Sequence, residues 1–88
     1  MKYVIFENHS QILPVVFPDH ITHSDIKIEN AKPVSAGFVD VSYGGFCTVY
    51  GKSTSLKLDS RPVDSSILED WYRNSGMYAF LKPVPDVV

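Results

Sequence analysis

The stretch Pro33–Pro62, PVSAGFVDVSYGGFCTVYGKSTSLKLDSRP, decides the fold. Tyr43-Gly44-Gly45-Phe46 supplies two glycines that can take positive φ in a two-residue hairpin turn. Pairing outward from that turn sets Tyr43 against Phe46, Val41 against Thr48 and Val39 against Tyr50, all on one face. The other face then carries Phe38, Asp40, Ser42, Cys47 and Val49. A slip of one residue would carry the apolar set to the wrong side, so burial should fix the register. After Gly51-Lys52, residues Thr54, Leu56 and Leu58 alternate with Ser55 and Lys57, the pattern of a half-buried third strand.

Asp59-Ser60-Arg61-Pro62 opens a helix over 62–74. Ser60 is a natural cap, and Pro62 is tolerated in the first turn, where its missing N–H costs nothing. Val63, Ile67 and Trp71, flanked by Leu68 and Tyr72, make an apolar stripe at helical spacing. Asp64 sits near the positive end, Glu69 precedes Arg73 by four residues, and Gly76 closes the helix.

Upstream, KYVIF at 2–6 reads as a strand, and Ile12–Phe17 as its returning partner across a five-residue loop. Pro14 cannot donate to a ladder, so that second strand lies at an edge or begins after it. Thr22 with Asp25 resembles a capping box, bracketed by Ile21 and Ile26, and predicts a short helix over 23–30 that ends before Pro33. The expected architecture is α+β: a small, mostly antiparallel sheet in the order ββαβββα, with one main helix on a face and a short second helix. Residues 1–76 form a single domain. Residues 77–88 read as an extended, apolar tail lying on the domain or on a neighbouring subunit, an apolar terminus being prone to fray unless tied down.

Eighty-eight residues suffice for one domain, and 44% hydrophobic content can give it a core. Such small domains bury roughly 60–65% of their unfolded surface, and the expected state is a homo-oligomer, which would bury more. A net charge of −2 without a basic stripe argues against duplex nucleic acid. The single Cys47 excludes an intrachain disulfide and fits a reducing compartment. MKYVIFEN is too short in its apolar run for a signal peptide, and no run approaches the roughly 18 apolar residues of a membrane span. The expected location is the cytoplasm, with no membrane partner.

Chemistry is thinly marked. His9, His20 and His23 could ligate zinc beside Asp19 or Asp25, but no cysteine pair or HExxH accompanies them, and the plainer reading is exposed or capping imidazoles. Neither a metal nor a cofactor is expected. Cys47 on a strand reads as a small apolar core residue, with no helix N-terminus to activate it. Ser60 lacks a glycine elbow, and no Walker or dinucleotide glycine pattern occurs. No acid and base stand at a convincing spacing, so the chain reads as a non-enzyme. The best candidate is a site for an anion: Arg61 would fork onto phosphate, and Ser60 would donate beside the helix N-terminus. Ser53, Ser55, His20 and His23 could complete that pocket. Its bland alternative is a solvated turn before a capped helix. Phe38, beside Asp40 and Ser42, is the aromatic expected at an interface, together with Tyr78 and Phe80 of the tail.

At FPDHITHSD, PVSAGFV, YGKSTSL and SRPVDSSIL the chain resembles small proteins encoded by bacteriophages and prophages. These phrases span much of residues 17–68 and form no catalytic signature, so no active-site residue is implied. The resemblance implies an accessory protein of the host cytoplasm that antagonises antiviral defence. The expected route is sequestering a small anionic, nucleotide-derived signal, and the alternative is occluding a host defence protein. A virion or assembly component is a third reading.

Overall fold

The computed structural model describes residues 1–75, which form an α+β domain. Its centre is β1 (Lys2–Asn8), which pairs antiparallel with β2 (Gln11–Phe17) on one side and β3 (Lys32–Val41) on the other. With β4 (Cys47–Tyr50) the sheet order is β2-β1-β3-β4. Both faces of β1 are covered, which is why Tyr3, Val4, Ile5 and Phe6 are all buried and read as an unbroken apolar run. Tyr3 and Ile5 meet Val16, Val39, Cys47 and Leu68 on one face, while Val4 and Phe6 meet Phe17 and Ala36 on the other.

The first hairpin is tighter than the sequence suggests. Asn8 pairs with Gln11, leaving His9-Ser10 as a two-residue turn with His9 at φ 54° in place of a five-residue loop. Pro14 lies opposite Ile5 on β2, an edge strand, where its missing N–H breaks no ladder.

The helix expected over 23–30 is a single 3-10 turn, His23–Asp25. Thr22 makes no side-chain capping bond, and by Ile26 the backbone is extended at φ −89°, ψ 120°. Ile21, Ile26 and Ile28 instead lie on the Val4–Phe6 face as its cover. Three β-branched residues gain more by flattening onto the sheet than by closing one more turn.

The central hairpin forms, one residue out of the expected register. Val39 faces Val49, and Val41 faces Cys47, so these four share the helix-covered face, with Phe38, Tyr50, Asp40 and Thr48 on the other. The cause is the turn. Ser42 N–H bonds Phe46 O at 2.8 Å and Gly45 N–H bonds Ser42 O at 2.9 Å, which encloses three residues, not two. Only Gly45 takes positive φ, at 84°; this is a type I turn closed by a left-handed glycine.

The third strand expected over Thr54–Leu58 is replaced by a miniature hairpin, β5 (Lys52–Ser53) with β6 (Leu58–Asp59). Residues 54–57 turn between them, with Lys57 at φ 58°. Leu56 and Leu58 reach the Phe6–Ala36 core from this hairpin. Finally α1 (Pro62–Ser75) crosses the other face. Leu68 is its fully buried residue, and Ile67, Trp71 and Tyr72 pack around the same core. Leu68→Ala would cost about 2–5 kcal/mol. Val63, expected in the buried stripe, is half exposed, and Asp64 takes the inward position one turn before Leu68. Gly76 and the tail residues Tyr78 and Phe80 lie outside the described residues.

Candidate functional site

Beside β4 and the first turn of α1 lies an open cleft of about 500 Å³, lined by Cys47, Thr48, Val49, Ser60, Arg61, Pro62 and Ser65. Its wall is β4, an edge strand of the sheet that the described residues form. Because Ser42 and Phe46 form a hydrogen-bonded pair, the alternation of an antiparallel ladder turns Thr48 and Tyr50 toward β3. The same alternation turns the backbone groups of Cys47 and Val49 outward.

Bonds from within the chain hold the two ends of this edge. Glu69 on α1 accepts the Cys47 N–H through Oε2 at 2.8 Å. Ser60 donates to Gly51 O twice, from its backbone N–H at 3.1 Å and from Oγ at 2.8 Å. Between these caps, Cys47 C=O and both groups of Val49 have no partner among the described residues.

The cleft's floor is the start of α1. Asp64, wholly buried, accepts three bonds there: Tyr3 Oη at 2.6 Å and Arg61 N–H at 2.9 Å on Oδ2, and Arg61 Nε at 3.0 Å on Oδ1. Asp64 N–H in turn bonds Arg61 O, so this is a reciprocal cap with Arg61 in the capping position. Ser60, read from sequence as the cap, ties the strand end at Gly51 instead. Burial first, and then the Asp64 carboxylate, pushes the Tyr3 hydroxyl well above the ordinary tyrosine range. Burial, followed by the Glu69 charge, raises the Cys47 thiol to about 11. At neutral pH that thiol stays protonated and is no nucleophile.

The residues singled out from sequence are distributed among separate places. Arg61 and Ser60 share the β4 cleft. Ser53 is buried in the β5–β6 hairpin, where its Oγ accepts Leu56 N–H at 3.1 Å and lies 3.4 Å from Ser55 Oγ. It lines a different hollow, with Lys52, Thr54, Lys57, Leu58 and Asp59. His20 is exposed in the turn closed by Ile21 N–H on Pro18 O. His23 is buried on the sheet face away from α1, its Nε2 2.9 Å from Gly37 O.

His23 also belongs to a row of rings, Phe17–His23–Phe38–Tyr50, with successive centroids 5.5, 5.8 and 5.7 Å apart. Phe38 is thus interior to the row, and Tyr50, 46% exposed, is its outer end. The sequence places Asp64 near the positive helix end, Glu69 four residues before Arg73 and Val49 on a strand, but assigns none of them to the site. Asp64 carried a signal, an acid three residues after a cap position; Glu69 and Val49 carried none.

Among the described residues no group of three or more His, Cys, Asp or Glu side chains could hold a metal ion. No helix among them is long and apolar enough to cross a membrane. No protein-family model, curated protein or solved structure matches the chain.

Proposed function

We propose that the chain is a non-catalytic binding protein that works by occupying another protein, in the setting its sequence resemblance implies: a phage-type accessory factor acting on a host defence protein in the cytoplasm. The observation that carries this reading is the β4 edge, with three adjacent backbone groups unpartnered among the described residues beside a 500 Å³ cleft. Native domains usually blunt or cover such an edge, because it templates the addition of another strand. Tyr43, Phe46 and Tyr50, exposed around the same hairpin, add aromatic surface of the kind enriched in protein interfaces.

Sequestration of a small anionic, nucleotide-like ligand is the second reading, favoured by Arg61 and Ser60 sharing that cleft. Against it stands Asp64, which already supplies a carboxylate to the Arg61 Nε and to the Arg61 N–H at the helix start. A doubly charged phosphate would meet that negative charge with Arg61 as the single cation among the cleft's lining residues, whereas one carboxylate is matched by the Arg61 N–H donors that Asp64 leaves over.

Native mass spectrometry of the full chain purified from its host, followed by cross-linking, separates the two. A nucleotide-free spectrum, with a stoichiometric protein partner cross-linked through Lys52, supports the first reading. Release of a bound nucleotide on denaturation overturns it. The same spectrum counts subunits and so tests the proposed homo-oligomer.

A further inference from the structure

We infer that the partner contributes an extended peptide segment which adds to β4 as a fifth strand, with an acidic side chain opposite Val49. This rests on the protein-binding reading above. The backbone specifies the occupant. Cys47 C=O, Val49 N–H and Val49 C=O point outward in succession along β4, and only another extended backbone presents donors and acceptors at that spacing. The caps set the length, since Glu69 holds Cys47 N–H at one end and Ser60 holds Gly51 O at the other. The recruited segment is therefore short, about five residues, with a central residue exchanging both its bonds with Val49.

Side-chain alternation then specifies composition. Val49 lies on the α1 side of the sheet, so the residue paired with it points into the cleft toward Arg61 and Ser65. The Arg61 side chain is 38% exposed and spends its Nε on Asp64. A guanidinium has four further N–H donors, and none of those of Arg61 has a partner among the described residues. A carboxylate opposite Val49 is the group they would fork onto. Its two neighbours point to the opposite face, beside Thr48 and the exposed ring of Tyr50, where β-branched or aromatic residues pack best.

The test uses the acetylated, amidated pentapeptide Thr-Val-Glu-Val-Thr with the ¹⁵N-labelled full chain. Titration should move the Val49 amide resonance saturably and slow its hydrogen exchange at least about tenfold. Methylating the backbone nitrogen of the peptide's glutamate should weaken binding at least about tenfold, because it removes one donor and crowds the ladder. Replacing that glutamate by glutamine should weaken it about threefold or more. Val49→Pro, which removes the outward N–H at an edge position, should abolish binding; the methylated peptide gives the same information should that variant unfold. Saturable shifts confined to another surface, equal binding of the methylated peptide, or no binding at all would overturn the inference. A cross-linked partner that binds Val49→Pro at full affinity overturns the strand addition and leaves the protein-binding reading standing. A bound nucleotide overturns that reading and leaves the pentapeptide result to be judged separately.

Discussion

The hydroxyl of Tyr3 on β1 donates to the carboxylate of Asp64 on α1 across 2.6 Å, with both side chains wholly buried. This bond fastens the helix to the central strand at the same point where Asp64 caps its first turn. The two partners, 61 residues apart in sequence, therefore report on packing and on capping together.

Three substitutions separate these contributions. Tyr3→Phe removes one bond to a charged acceptor and should cost about 1.5–3 kcal/mol. Asp64→Ala removes the cap and strands the Tyr3 hydroxyl, for about 2–4 kcal/mol in all. Arg61→Ala keeps the backbone N–H on Asp64 and loses a partly exposed pair, so about 1 kcal/mol or less is expected. Urea unfolding of the three variants checks the order. An Arg61→Ala cost equal to that of Asp64→Ala would contradict the assignment of Asp64 as the hub.

The sequence carried α1 and the four strands of the main sheet because those rest on local chemistry: Pro62 in a first turn, aromatic and β-branched runs, and Pro14 at an edge. What it did not carry were choices made by tertiary partners. Gly44-Gly45 looks equally suited to a two- or a three-residue turn, and the difference shifts the register of all of β4 by one. Tertiary burial decided it, by placing Val49 and Cys47 rather than Tyr50 and Thr48 under α1. Asp64 in the first turn of α1 reads as solvent-facing until Tyr3 is known to lie beneath it. In the cleft, Arg61 and Ser60 were legible as neighbours, but the place of β4 at the edge of the sheet among the described residues is a property of sheet order that no local pattern encodes.

Ser35 offers a gain of stability. Its hydroxyl is buried on β3 opposite Ile5 and has no hydrogen-bond partner among the described residues. A buried, unsatisfied hydroxyl costs about 1–3 kcal/mol, so Ser35→Ala should leave the domain equally stable or raise it by up to about 1 kcal/mol after the small loss of packing. Thermal melting of the variant decides it. A clear loss of stability would mean that the hydroxyl is satisfied in solution, by an internal water.

The two glycines of the hairpin should respond differently. Gly45 stands at φ 84°, and a methyl group there would come within 2.8 Å of the Tyr72 ring. Gly45→Ala should therefore cost about 1–2 kcal/mol for the left-handed backbone alone, with the displacement of Tyr72 in addition. Gly44, exposed, would bring its methyl only against the Phe46 ring at 3.1 Å, and Gly44→Ala should change stability by less than about 0.5 kcal/mol. Equal effects at the two positions would favour the two-residue turn over the observed one.

The buried thiol of Cys47 makes stability fall in alkali. Its folded pKa is raised to about 11 from an ordinary 9.0, mainly by burial and then by the nearby Glu69 carboxylate. The folded state thus holds its proton where the unfolded chain has released it, and unfolding stability declines as pH rises whenever the native state binds more protons. The Cys47 contribution is complete below about pH 9 and is lost progressively toward pH 11. Melting temperatures measured from pH 8 to 11 should decline more gently in Cys47→Ala than in the parent chain. The slope left above pH 10 belongs in part to Tyr3, whose hydroxyl is raised by burial and by Asp64, and Tyr3→Phe should reduce it. A Cys47→Ala variant that keeps the full alkaline slope would place the titration elsewhere. Slow, urea-accelerated labelling of the thiol at pH 8 gives an independent check, since a side chain only 5% exposed reacts through opening of the hairpin under α1.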